Sequence, residues 1–260
     1  MIIPASPAAG VRVGGGRDTV FFVSDAHFGL GGDEGERIAR FSEFAAEVRR
    51  RGSDLYVVGD MFDFWIEYRS AIRRDYFPAL YELRRMADSG VRVHYVAGNH
   101  DFALGSFLEE SAGVSVHRGC VDVELQGRRA HISHGDKVCG GPALRIAGRL
   151  LRCGFLRALY KVIHPDIGIW FGSAVSAASK RHRGAADIPD SDLEKYRQAA
   201  RALMNGGNCD LVVFAHTHHA ELISLDCGEY CNTGSWMRGY DYAALRDGKI
   251  QLLKWGSSAS

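Results

Sequence analysis

Five short strand-like runs in this chain, most of them apolar, each stop on a cluster of carboxylate, amide or imidazole side chains, and that repetition limits what the chain can fold into more than any other feature. Thr19-Val20-Phe21-Phe22-Val23 runs into Ser24-Asp25-Ala26-His27, and Leu55-Tyr56-Val57-Val58 into Gly59-Asp60-Met61-Phe62-Asp63. Val91 to Val96 leads to Gly98-Asn99-His100-Asp101, Ala130-His131-Ile132-Ser133 to His134-Gly135-Asp136, and Leu211-Val212-Val213-Phe214 to Ala215-His216-Thr217-His218. Short runs this apolar read as strands of a buried sheet. A buried strand has no packing reason to end in polar groups, because each needs a partner once water is gone. In open α/β sheets, however, the carboxyl ends of the strands are where ligands collect.

The segments between the runs fit an α/β fold. Glu36 to Arg51 carries Ile38, Phe41, Phe44, Ala45 and Val48 at helical spacing, and residues 76 to 89 carry Leu80, Leu83 and Met86, so each predicts an amphipathic helix lying on a sheet. Val121 to Leu125 alternates as a half-exposed strand before a Gly127-Arg128 turn, which predicts that the later sheet is partly antiparallel. Ala220 to Leu225, Glu229 to Asn232, Tyr242 to Arg246 and Lys249 to Trp255 read as short closing strands. Residues 1 to 17, rich in Gly, Ala and Pro, are expected to form a flexible tail ahead of one domain over 18–260.

Bulk properties narrow the function. With 32 Lys and Arg against 31 Asp and Glu, the formal net charge is +1, which argues against binding nucleic acid through the whole surface. The six cysteines form neither a C-x-x-C pair nor an evenly spaced ladder, so they are read as reduced thiols. The first residues lack a basic segment followed by an apolar one, and no apolar run reaches the roughly 18 residues of a membrane span. The expectation is a cytoplasmic protein.

Taken from the five strand ends, Asp25, His27, Asp60, Asn99, His134, His216 and His218 offer oxygen and imidazole nitrogen but no thiolate. That donor set suits a pair of first-row divalent ions. If the chain is still extended there, Asp25 and His27 project from one face two residues apart, as two ligands of one ion do. Asp60 has two carboxylate oxygens and is the natural bridge in a two-metal site. Mn²⁺, Fe²⁺ and Zn²⁺ all accept these donors, with Mn²⁺ the expected ion.

Asp25-x-His27, Gly59-Asp60-x-x-Asp63, Gly98-Asn99-His100-Asp101, His134-Gly135-Asp136 and Ala215-His216-Thr217-His218, in this order, resemble the five motifs of the calcineurin-like metallophosphoesterases. The resemblance implies a four-layer αββα sandwich of two mixed β-sheets flanked by helices, with the metals at the strand ends. It implies one ion held by Asp25, His27, Asp60 and His218, and a second by Asp60, Asn99, His134 and His216. His100 then stabilises the transition state or protonates the leaving oxygen, with Asp63 orienting it. Ala215 stands where the family usually has glycine.

Within that family, Gly59-Asp60-Met61-Phe62-Asp63-Phe64-Trp65, Gly98-Asn99-His100-Asp101-Phe102-Ala103-Leu104-Gly105 and a long insertion after His134-Gly135-Asp136 are similar to the bacterial UDP-2,3-diacylglucosamine pyrophosphatases of lipid A synthesis. The likeness implies a glycolipid nucleotide substrate, contacts to it from Asn99, His100, Arg149, Ser179 and Lys180, and peripheral association with the cytoplasmic face of the inner membrane. The insertion, 137–184, holds nine basic residues against one acid, Asp166, interleaved with apolar residues at helical spacing. A basic, apolar helical lid suits anionic lipid heads and acyl chains, although an ordinary helical hairpin packed on the core has the same pattern. Two departures stand out: those enzymes commonly carry Arg at the position of His100, and Gly140, Gly141 and Arg145 replace the acidic and tyrosine positions after their His-Gly-Asp motif. The alternatives to lipid pyrophosphate cleavage are a metallophosphoesterase acting on a soluble phosphomonoester, phosphodiester or nucleotide, and a metal-stabilised scaffold that only binds.

Overall fold

The computed structural model describes residues 17–68, 71–139, 164, 167–168 and 188–256. Most of the basic insertion, with Arg149, Ser179 and Lys180, lies outside the described residues, as does nearly all of the N-terminal tail.

The first strand, β1 (Thr19–Val23), shows how the layers arise. All five residues are buried, and they alternate: Phe21 and Val23 belong to one core cluster, Val20 and Phe22 to another. A strand buried on both faces must lie in the middle of a layered sandwich. β1 pairs in parallel with β2 (Gly52–Val57), which pairs in parallel with β3 (Arg92–Val96), and β3 with β4 (Ser115–His117). On its other side β1 pairs antiparallel with β10 (Asp241–Arg246), and β10 with β11 (Lys249–Lys254). The six strands run in the order β11-β10-β1-β2-β3-β4.

A second sheet of five strands has the order β5-β6-β7-β9-β8, from β5 (Val121–Leu125), β6 (Arg128–Ile132), β7 (Leu211–Phe214), β9 (Gly228–Thr233) and β8 (Ala220–Leu225). Its outer pairs, β5 with β6 and β8 with β9, are antiparallel, and its inner ones parallel, so both sheets are mixed. Leu211 and Val213 of β7 face the first sheet, in the cluster that holds Val20 and Phe22, while Val212 and Phe214 face outward.

Helices close both outer faces. α1 (Glu34–Arg51) packs Phe41, Phe44, Ala45 and Val48, and α2 (Phe77–Asp88) packs Ala79, Leu80, Leu83 and Met86, against Phe21, Val23, Leu55, Val57 and Val93. On the far side Leu193, Tyr196, Ala200 and Met204 are the buried face of the long helix Asp190–Asn205, and the last three of them join Val212, Phe214 and Tyr230. Two one-turn helices, α3 (Phe107–Glu110) and α5 (Trp236–Gly239), leave that long helix as α4. The result is an αββα sandwich.

The edges of several elements differ from the sequence reading. Gly52 and Ser53 open β2 instead of breaking the chain before it, with Gly52 opposite Thr19. Arg128 is the first residue of β6, opposite Leu125, and the turn is Gln126-Gly127, both at positive φ (51° and 79°), as a two-residue hairpin of matched twist requires.

Candidate metal centre

The loops that follow β1 and β2 run side by side. Asp25 N–H donates to the Gly59 carbonyl at 3.2 Å, and His27 N–H to that of Asp60 at 3.1 Å. Five polar residues on these loops and on the one after β7 take left-handed backbone: Asp25 (φ 50°), His27 (46°), Asp60 (52°), His216 (70°) and His218 (56°). Non-glycine residues adopt this region at a cost of about 1–3 kcal/mol each, and such strain gathers where function needs it. Outside this group only Gln126, Tyr240 and Asp247 do so among the described residues.

Side chains from all five strand ends meet. Asp25 Oδ1 lies 3.1 Å from His218 Nε2 and 3.8 Å from His27 Nε2. Beside them, His134 Nε2 is 3.2 Å from Asp60 Oδ2, 3.1 Å from Asn99 Oδ1 and 3.1 Å from His216 Nδ1. Asp25, His27 and His218 form one group with metal-ligand spacing, and Asp60, His134 and His216 another. His100 stands over both: its ring is 4.7 Å from that of His27, edge to face, and its Nε2 is 4.0 Å from Asp60 Oδ2.

Two glycines make this density attainable. A Cβ at Gly59, at φ 82°, would sit 2.5 Å from His134 Nδ1, and one at Gly98 would strike the Asp60 carboxylate. Asp101, given no role from sequence, joins the loops: its Oδ2 accepts from Gly98 N–H at 2.8 Å and Asp60 N–H at 3.2 Å, and its Oδ1 from the Tyr95 hydroxyl at 2.7 Å. Ser235, also missed, donates its hydroxyl to the Asp25 carbonyl at 3.1 Å. The contact between Asp63 and His100 runs from His100 Nδ1–H to the Asp63 main-chain carbonyl, while the Asp63 carboxylate lies 4.0 Å from His27 Nδ1.

The donor chemistry fits divalent cations. Asp25 Oδ1, both ring nitrogens of His27 and Nδ1 of His218 are buried with no hydrogen-bond partner, a cost few folds accept without a function. His134 Nδ1–H donates to the Val58 carbonyl at 2.8 Å, which in the neutral ring aims the Nε2 lone pair at two oxygens and another imidazole nitrogen. His216 Nδ1–H can satisfy one of these contacts in one tautomer, while the two oxygens beside the His134 lone pair call for a cation or a proton between them. Without an ion a proton must serve: against the penalty of burial, Asp60 and its neighbours push His134 up to about 10. Burial and the His134 charge together push His216 down to about 4, and burial does the same to His27. Asp25 and Asp60 are held well below the usual carboxylate range, against burial, by the imidazoles around them.

A two-sheet α/β sandwich with paired Asp and His clusters at its strand ends offers ligand groups for divalent ions. The sequence profile of the calcineurin-like phosphoesterases matches residues 19–220, and the chain belongs to that family. Among its relatives, the UDP-2,3-diacylglucosamine hydrolase of Porphyromonas gingivalis is 28% identical over 92% of this chain and 97% of that protein. Its counterpart in Neisseria gonorrhoeae is 26% identical over 86% and 92%, and that of Nitrosococcus oceani 34% identical over 53% and 54%. An archaeal phosphodiesterase of known structure aligns with 90% of this chain and 98% of its own, at 13% identity and a TM-score of 0.48.

Proposed function

We propose that this enzyme hydrolyses the pyrophosphate of UDP-2,3-diacylglucosamine, releasing UMP and 2,3-diacylglucosamine 1-phosphate. The observation that carries the reading is the full-length likeness to relatives named for that substrate, above all the 28% identity that spans 97% of the Porphyromonas gingivalis protein. In this reading Asp25, His27, Asp60 and His218 hold one divalent ion and Asp60, Asn99, His134 and His216 a second, with Mn²⁺ the favoured ion and Fe²⁺ or Zn²⁺ compatible. Bound there, the ions supply Lewis acidity, lowering the pKa of water and drawing charge from phosphoryl oxygens.

The side chains do the rest. His100 Nδ1–H is committed to the Asp63 carbonyl, so a proton on Nε2 is present only in the imidazolium. That form donates from Nε2 to a phosphoryl or leaving oxygen and, once neutral, keeps its orientation. Asp101 and the Tyr95 hydroxyl fix the loop that presents Asn99 and His100. Arg149, Ser179 and Lys180, in the 137–184 lid, are the proposed contacts to the sugar phosphate and the membrane surface.

The test is incubation of purified protein and Mn²⁺ with UDP-2,3-diacylglucosamine and, separately, with a chromogenic phosphodiester. UMP and the lipid phosphate, identified by mass spectrometry, support the proposal. Cleavage of the diester alone overturns it in favour of a soluble phosphoester substrate, the second reading. One residue favours that second reading, His100, where the lipid-specific enzymes commonly carry Arg.

A further inference from the structure

We propose that Cys120, Asp122 and His131 form a second cation site, suited to zinc, on the outer face of the five-stranded sheet. This goes beyond the reaction proposed above and does not depend on it.

The site follows from strand register. In the β5–β6 ladder Asp122 is directly opposite His131. Val121, Leu125, Ala130 and Ile132 of these strands fill the core between the sheets, which turns Asp122 and His131 to the opposite face. Cys120 precedes Asp122 by two positions, the spacing that returns a side chain to the same face. One donor atom from each of the three residues lies within 4.8 Å of the others. His131 Nδ1 and Asp122 Oδ1 are already 2.6 Å apart.

The donor types name the cation. A thiolate, an imidazole nitrogen and a carboxylate oxygen form a mixed set that zinc accepts in tetrahedral geometry, with water in the fourth place at an exposed site. Zinc bonds of about 2.0–2.3 Å place tetrahedral ligands roughly 3.2–3.8 Å apart, so the His131–Asp122 pair, hydrogen-bonded at 2.6 Å, must open by about 1 Å to admit the ion. Cys120 and Asp122 are exposed, so the thiolate can swing in and the carboxylate can exchange its hydrogen bond to His131 for the ion, whereas the His131 ring packs against that of Phe214, centroids 6.3 Å apart and nearly perpendicular. The framework is therefore one anchored imidazole and two adjustable donors on a paired strand. The catalytic cluster carries no sulfur, so the two centres differ in kind.

That difference supplies the readout. Cobalt(II), the spectroscopic stand-in for zinc, is titrated into the full chain. A near-ultraviolet thiolate-to-cobalt charge-transfer band is expected, since cobalt bound by Asp, Asn and His alone gives none. Cys120→Ser should abolish the band and His131→Ala should weaken it severalfold or more, with phosphodiester hydrolysis retained in both. On the unaltered chain, Zn²⁺ should slow iodoacetamide labelling of Cys120, followed by peptide mass spectrometry, at least tenfold. Absence of the band, its survival in Cys120→Ser, or equal labelling of Cys120 with and without Zn²⁺ each overturns the proposal.

Discussion

The two ends of β6 and β7 are equally polar and built on opposite principles. At the amino ends, Arg128 is matched donor for donor: Nε to Asp210 Oδ1 at 2.6 Å, Nη1 to Glu229 Oε2 at 2.7 Å and to the Gly248 carbonyl at 3.0 Å, and Nη2 to the Asp210 carbonyl at 2.9 Å. At the carboxyl ends, His134 and His216 point nitrogen at nitrogen across 3.1 Å, beside buried atoms that have no partner. Satisfied charge ties Arg128 to the β10–β11 turn of the other sheet and so locks the sandwich. Unsatisfied buried donors mark the proposed metal site, which the rest of the fold holds open.

The largest predicted effect breaks the catalytic end alone. Asp60→Asn keeps the volume and an oxygen to accept His100 N–H, now at 2.9 Å, but removes the charge proposed to bridge the two ions. Losing several kcal/mol of transition-state stabilisation lowers kcat/KM on a phosphodiester by about 10³-fold. The urea midpoint measured in chelator should fall as well, because buried His134 loses the carboxylate that holds its proton.

Arg128→Ala is the mirror experiment. Removing the guanidinium leaves Asp210 and Glu229 facing each other without their shared donor, which costs about 1–3 kcal/mol of stability. Turnover of the folded enzyme stays at the parent value. If Arg128→Ala inactivates without destabilising, or Asp60→Asn leaves turnover intact, the division between the two ends is wrong.

These two ends were unequally legible in the sequence. Asp25, Asp60, Asn99, His134 and His216 stand out because apolar strands end on them, and strand ends are where a sheet exposes its loops. Continuous apolar runs marked β1 and β7, and period-2 alternation marked β5. Arg128 and Asp210 carry no such signal, since they meet from 82 positions apart. Nor does the left-handed backbone at Asp25 or His218, which neighbouring loops impose on residues that do not favour it. Asp101 sat inside a recognised motif, yet its work is to bridge to Asp60 N–H, 41 residues away. The stripe Leu193, Tyr196, Ala200 and Met204 does mark α4 at helical spacing and was open to reading, whereas the three residues of β4 are too few to show any period.

A smaller effect tests the structural end by pH. Asp54, at the start of β2, accepts from Arg92 Nε at 2.6 Å and Nη2 at 2.8 Å, with His94 Nε2 at 3.4 Å. Burial opposes its ionisation, but His94 and Arg92 outweigh it and hold the carboxyl well below its ordinary 3.8. A depressed carboxylate stabilises the fold above its unfolded value and loses that contribution as pH falls through the folded one. Unfolding free energy should thus drop by about 1 kcal/mol more in the parent than in Asp54→Asn between pH 5 and pH 2, a modest figure because Arg92 is largely exposed. Equal acid sensitivity in urea melts of both proteins would sink this account of Asp54.

The smallest effect falls at the junction of the two regimes. Ala215 follows β7, fully buried in the core between the sheets, and its carbonyl accepts from Asn232 Nδ2 at 3.0 Å. It is not among the residues at positive φ, while His216, next in the chain, is at 70°. The switch from satisfied strand to strained ligand loop therefore happens within one peptide unit, and the strain rests on His216. Glycine, usual in the family at this position, is not required by the backbone here. Ala215→Gly frees the unfolded chain and removes a buried methyl without touching a donor, so it should cost about 0.4–1 kcal/mol in a urea melt and leave kcat unchanged. A gain in stability would place the strain at Ala215 itself and move the boundary of the metal centre one residue into the core.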